Sequence, residues 1–377
     1  MSSLIFILFF LAQITNNPNG FLLKLDKDLQ THQYTTQLLI GTHQPLPTKL
    51  VVHLSGDSLW LRCSTSSSSH QFISHNSIQC LIANKSQKPT KYPKICNVQQ
   101  RNPITGVSSI GDLAEDHVEI GSGLNRVLFS CLSSDYLLKG LVSDAKGVLG
   151  LGKSKIALQS QIVNNFDFPR KFTVCLSPVT GFISSGNTKH SLSYTPLIIN
   201  SIHNINAYYI NVNSININGR KLSSQQPIGS VEISSVVPYT TIQTTIYDNF
   251  VQGYVTAAKS MNMTMVGPTA PFFRVCYQYK EVVPEIELVL QSEFVKWKMH
   301  SKNSMVRVSD SVMCLAFVDG GFDMNSMMVL GGYQLEDRIL EFNLGTNMMG
   351  FGSSLLMDGT SCANVMESVS TRKESLQ

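Results

Sequence analysis

Short apolar and β-branched runs, separated by glycine, asparagine and proline, set the rhythm of this chain. They recur at Tyr34 to Ile40, Val118 to Ile120, Val127 to Cys131, Phe172 to Leu176, Tyr208 to Ile217, Ile286 to Leu290, Met305 to Val308 and Met313 to Val318. Runs of this kind predict strands, because branched side chains pack well on a pleated surface and lose rotamer freedom in a helix. The stretches NING (216–219), GSG (121–123) and FVDGGF (317–322) predict turns between them. Apolar residues spaced by three and four are confined to 154–166 and 244–260. The pattern therefore predicts an all-β body carrying a few short helices.

A weak repeat organises these runs. GVLGLG (147–152) and MVLGGY (328–333) share Val-Leu-Gly, and their glycines Gly150 and Gly331 lie 181 residues apart. His53 and Ser234 are separated by the same 181 residues, and each ends a stretch rich in β-branched residues. A duplicated lobe explains both intervals, and predicts that one tip residue from each copy meets the other at a pseudo-twofold axis.

At 377 residues the chain is long enough for two such lobes. Charged residues make up only 14% of it, which suits an extracellular β-rich protein better than a helical cytosolic one. The segment 1–20 runs apolar from Leu4 to Ala12, too short to span a bilayer, and is read as a signal peptide. Eight cysteines form no CxxC motif and have no histidine at metal-ligand spacing, so in a secreted chain they predict disulfides. Two N-glycosylation sequons begin at Asn84 and Asn262. A net charge of +4 without basic runs argues against nucleic acid, and nothing calls for a metal or a cofactor. No membrane attachment is expected once the leader is cleaved.

The segments LVVHLSGDSLWLRC, ITGVSSIGDLAEDHVEI, VLFSCLSSDYLLKGLVSDAKGVLGLGKSKIALQSQ, RKFTVCLSP, ISSVVPYTTIQTTIY, CLAFVDGG, GGYQLEDRILEFNLGTNMMGFGSSLL and TSCAN together resemble the plant pepsin-like family. The likeness is to its non-proteolytic branch, which includes extracellular dermal glycoproteins, basic seed globulins, and inhibitors of xyloglucan endoglucanases and xylanases. It covers nearly the whole chain and implies a two-lobed, pepsin-like double β-barrel around a long cleft. An N-terminal lobe at 21–190 and a C-terminal lobe at 191–377 are expected.

Active members of that fold carry one aspartate per lobe, and the two carboxylates share a proton. Counting back from Trp60, the resemblance places His53 at the first aspartate position and Ser234 at the second. The segment matching the flap, 99–116, lacks tyrosine. Asp57 lies beyond the bend, and a neutral Ser234 leaves it without a proton-sharing partner. The expectation is a secreted, catalytically inactive homologue. A Ser234 nucleophile activated by His53 is the sharper alternative, but no orienting carboxylate or oxyanion donor can be assigned to it. Inhibition of a secreted glycoside hydrolase is the expected role, with a storage globulin and a residual acid peptidase as alternatives.

The loops that carry arginines in endoglucanase inhibitors of the family hold Asn325 and Met357-Asp358-Gly359 here, so Asn325, Asp358 and Gly359 become the partner-binding candidates. Arg274, Lys302 and Arg307 are the other cationic candidates. The methionines at 324, 327, 328, 348 and 349 read as core filler or as an adaptable binding patch. The resemblance also implies Cys276 paired with Cys314 and Cys175 with Cys362, leaving Cys63, Cys80, Cys96 and Cys131 to pair in one of three ways.

Overall fold

The computed structural model describes residues 21–42, 45–63, 69–84, 95–120, 123–166, 170–185, 190–199, 206–222, 227–267 and 272–367. Residues 1–20, read above as a leader, most of the GSG turn and much of the 64–98 loop lie outside the described residues. Among the described residues strands dominate, in one 14-stranded, one five-stranded and two four-stranded sheets.

Tyr34–Ile40 forms a strand over the predicted run, and the helix Thr244–Ser260 coincides with the predicted periodicity. That helix turns Tyr247, Phe250, Val251, Tyr254 and Ala258 into the interior at the expected spacing. It stops in a Schellman cap: Asn262 adopts φ 55°, its N–H bonds the Lys259 carbonyl, and the Met263 N–H reaches the Ala258 carbonyl.

Two expected strands are broken. The run 208–217 becomes Tyr209–Val212 and Ser214–Ile217, which join different sheets, with Asn213 exposed at the corner. The run 313–318 likewise divides into Val312–Leu315 and Phe317–Asp319. Apolar continuity does not reveal which neighbour each half will bond. The helix expected at 154–166 begins at Leu158, because Ser154 to Ala157 close a turn of their own, and a short helix not expected from the periodicity forms at Ile78–Ala83.

The repeat is visible in the hydrogen-bond register. In the first half Leu46–His53 runs parallel to Gly147–Gly150, with Leu50 opposite Gly147, and Leu59–Arg62 runs antiparallel to the same strand, with Trp60 opposite Val148. In the second half Val231 lies opposite Met328 in a parallel pair, and Thr241 opposite Val329 in an antiparallel one. All four positions of the first half are related to those of the second by the 181-residue shift.

The glycines of the repeat sit where these strands cross. A Cβ on Gly150 would lie 2.4 Å from the Ser58 carbonyl oxygen, and one on Gly331 would lie 2.5 Å from the Tyr239 carbonyl carbon. Both contacts are with backbone, so only glycine fits.

The halves are also sewn together away from the tips. Arg338–Asn343, late in the chain, pairs antiparallel with Lys171–Cys175 from the first half. Lys27 Nζ lies 2.6 Å from Glu336 Oε1, both side chains 5% exposed, and Tyr34 Oη donates to the same oxygen at 2.7 Å. Four disulfides join Cys63 to Cys131, Cys80 to Cys96, Cys175 to Cys362 and Cys276 to Cys314.

Candidate functional site

The strands ending at His53 and Ile233 deliver two tips to one place. Ser235 Oγ, from the second half, accepts from the Leu54 N–H at 3.0 Å and donates to the Val52 carbonyl at 2.8 Å. Leu54 and Ser235 are again 181 residues apart. Leucine has no hydroxyl to return the contact. Its side chain is instead fully buried in the main core, and Ser55 Oγ makes a longer bond of 3.3 Å to the Ile233 carbonyl. Val236, one residue past Ser235, packs into the Trp60 cluster of the first half.

The tip residues serve different purposes. Ser234 is 2% exposed, and its Oγ accepts from the N–H groups of Val236 at 3.3 Å and Val237 at 3.2 Å. The hydroxyl thus closes its own turn. A buried serine whose lone pairs are held by backbone amides is poorly placed to attack a substrate, so the nucleophile alternative loses its geometry. In the first half the backbone closes the bend: the His53 carbonyl accepts from Gly56 at 3.1 Å and Leu151 at 3.0 Å. The His53 ring is left facing the cleft. Burial first, and then the Arg101 charge, pulls its pKa down to about 4, so the ring is neutral at ordinary pH.

Between the halves lies a cleft of about 560 Å³ whose lining includes His53, Trp60, Glu232, Ser234 and Asn325. Desolvation raises the Asp57 carboxyl above its ordinary range, and the 2.9 Å bond from Asn206 Nδ2 opposes the rise. Burial likewise raises Glu232, against hydrogen bonds to Ser55 and Tyr209. Neither acid sits at a tip.

A hairpin of Asn97–Arg101 and Ser108–Ile120 covers one side. Its turn is locked by Asn102, fully buried, whose Nδ2 donates to the Leu137 carbonyl at 2.7 Å and the Lys139 carbonyl at 2.9 Å. Its Oδ1 accepts from the N–H groups of Ile104 and Thr105. Gln100, Arg101 and Glu232 line the cleft without having been singled out in the sequence. Alternation along 97–101 and 229–233 could have flagged which side chains share a face, but the identity of the face depends on the fold.

The partner-binding candidates do not converge. Asn325 is exposed on the cleft rim, whereas Asp358 and Gly359 form a separate exposed turn after Met348–Ser354, with Gly359 at φ 65°. Arg274 is ion-paired with Asp248, and Arg307 stacks 4.7 Å from the Tyr279 ring while bonding Asp310. Lys302 is exposed beside another groove. Met328 and Met349 are fully buried core residues, while Met327 is 41% exposed. The five methionines therefore form no single patch.

Asn84 and Asn262 differ in the same way. The Asn84 amide donates to the Asn97 carbonyl at 2.6 Å, while Asn262 is exposed beyond its helix. Among the described residues one cluster has metal-ligating side chains, Cys63, His70 and Cys131, and its two sulfurs are joined in a disulfide.

Two halves in one register, bonded tip to tip above a cleft, define a pepsin-like protein of the mostly-β class. The chain belongs to the xylanase-inhibitor-like family of that fold: the family profile described as xylanase inhibitor N-terminal matches residues 34–187, and that described as xylanase inhibitor C-terminal matches 207–353. A "Probable aspartic proteinase GIP2" from Nicotiana benthamiana is 36% identical, over 97% of this chain and 96% of its own. "Gamma conglutin 1" from Prunus dulcis is 34% identical over 92% and 89%. The crystal structure of EDGP superposes with a TM-score of 0.83 at 32% identity, covering 92% of this chain and 98% of that one. Among the described residues no helix is long and apolar enough to cross a membrane.

Proposed function

We propose that this chain is a secreted, catalytically inactive aspartic-peptidase homologue that serves as a protein-binding scaffold, inhibiting or decoying glycoside hydrolases that degrade cell walls. The observation that carries this reading is the pair of tips. Where the resemblance puts two aspartates, the chain presents a neutral imidazole and a hydroxyl engaged in its own turn. No proton can be shared between carboxylates there, and Asp57 and Glu232 lie off the tip positions.

Residues 1–20 act as the signal peptide in this reading, with lobes at 21–190 and 191–377. Four disulfides support passage through an oxidising compartment to the extracellular space. Asn262 is the favoured glycan carrier, because the Asn84 amide is already engaged; peptide mapping after glycosidase treatment is expected to find Asn262 modified and Asn84 bare.

Partner contacts are assigned to the rim at Asn325 and, separately, to the Asp358-Gly359 turn. The test is inhibition of a panel of secreted xylanases and endoglucanases by the purified protein, together with capture of partners from extracellular fluid. Inhibition of at least one enzyme is expected, and it is expected to weaken on Asn325→Ala. Similarity to gamma conglutin supports a storage globulin as the second reading, which gains if every enzyme runs unaffected and the protein oligomerises alone. Digestion of a denatured protein between pH 2 and 6, blocked by a transition-state mimic, would overturn the inactive assignment.

A further inference from the structure

Gln100 is 3% exposed in the hairpin strand Asn97–Arg101 and lines the cleft. Its Oε1 accepts from Ser58 Oγ at 3.0 Å, while its Nε2 has no partner among the described residues. A buried donor left unmet is destabilising, so this nitrogen points to an acceptor brought from outside.

The surrounding surface says what kind. Gln99 and Asn325 add side-chain amides, and Ser58 and Ser108 add hydroxyls. The two acids are already hydrogen-bonded, Asp57 by Asn206 and Glu232 by Ser55 and Tyr209, and exposed Arg101 donates its Nε–H to the Gly106 carbonyl at 3.1 Å, so the cleft carries one cation and no free carboxylate at its centre. The volume falls within the range of about 300–1,000 Å³ usual for small-molecule sites.

Val237 lines this cleft and also a wider groove of about 1,310 Å³, so the two adjoin at that residue. The second groove is aromatic. The Tyr239 ring is half-buried and held edge-on by Phe273 at 5.0 Å and His32 at 5.4 Å, and Phe272 is 77% exposed. A fixed ring offers a flat apolar face at low entropic cost, and the C–H face of a pyranose matches it. Amides and hydroxyls, able to donate and accept, suit the hydroxyls at the edge of the same sugar.

We propose that the cleft and this aromatic wall together bind a neutral, hydroxyl-rich oligosaccharide, running from Gln100 past Val237 onto Tyr239 and Phe272. An extended peptide is the other occupant to consider. It would require a row of apolar pockets for alternate side chains, whereas amides and hydroxyls of Gln99, Gln100, Ser58, Ser108 and Asn325 are interspersed with the apolar lining of Trp60, Val236 and Val329. The proposal shares Asn325 with the rim assigned to hydrolase inhibition, so the two are separated at Gln100 and Tyr239, which that reading does not use.

The test is calorimetric titration of the full, disulfide-bonded protein with hexasaccharides of cellulose, xylan, mannan and chitin, with an acidic oligogalacturonide as a charged control. Saturable 1:1 binding of at least one neutral hexasaccharide is expected, with the control weaker. Gln100→Glu keeps the acceptor for Ser58 and deletes the donor, and is expected to weaken binding roughly fivefold to tenfold. Tyr239→Ala is expected to weaken the same hexasaccharide. Urea unfolding of both variants confirms that they are folded, and glycanase inhibition should be unchanged in both, which separates this proposal from the hydrolase reading. Absence of binding by every neutral hexasaccharide at millimolar concentration overturns it. So does binding indifferent to both substitutions, or displacement of the sugar by a statine-type peptide mimic.

Discussion

The two tips are copies of one device that have been stabilised by different means. At the first, backbone alone closes the bend on the His53 carbonyl, the hydroxyl position is taken by buried Leu54, and the His53 ring turns outward. At the second, Ser234 closes the turn with its side chain, and Ser235 supplies the hydroxyl that ties the halves together. The strand register around them is unchanged. What drifted is therefore the chemistry at the ends of the strands, while the crossings that position those ends were kept.

If the halves share one framework, damage to it should cost the same in either. Gly150→Ala and Gly331→Ala each push a methyl into backbone that cannot move aside, and each is expected to remove at least about 4 kcal/mol of stability or to abolish secretion. Urea unfolding or secreted yield measures it; a large effect in one half and a trivial one in the other would break the equivalence.

Ser235→Ala probes the asymmetry. It strands a buried donor on Leu54 and an acceptor on Val52, and a loss of about 3 kcal/mol is expected.

His53 distinguishes the first tip by pH. Its folded pKa of about 4 lies below the unfolded value near 6.5, so the unfolded chain takes up the proton first as pH falls. Its contribution to stability is complete above pH 6.5 and is lost as pH drops toward 4. Between pH 7 and pH 5 the wild type is expected to lose about 2 kcal/mol more than His53→Asn in urea titrations. Equal losses would mean that the ring is better solvated than its surroundings indicate.

The smallest effect is assigned to Ser55→Ala. The longer bond to Ile233 and the contact with Glu232 disappear, together worth about 1.5 kcal/mol in the same measurement. A cost equal to that of Ser235→Ala would show that both halves contribute equally to the tie.

Much of this could be read in the chain, and the part that could not has a common cause. The strand run 34–40 and the helix 244–260 depend on local spacing, the 181-residue interval on repetition along the chain, and these appear in the structure at their expected places. The run 208–217 was misjudged because its two halves bond to different partners, a non-local fact. The cleft held a similar surprise. His53 and Ser234 stood out as repeat positions, but Gln100 and Glu232 gain meaning only when a hairpin and a strand from opposite halves face one another.

Pairing among Cys63, Cys80, Cys96 and Cys131 was equally open, since three arrangements satisfy the same residues and only distance in the folded chain selects one.

The chain by itself determined that this is a duplicated β-protein whose two strand tips carry His53 and Ser234, because periodicity and repetition are properties of one-dimensional order. Tertiary structure alone decided that Ser234 is buried in its own turn, that Ser235 bridges the halves, and that Gln100 is left with an unmet donor above the cleft. Hydrogen-bond satisfaction is settled between residues far apart in sequence, and it depends on where every other group has come to rest.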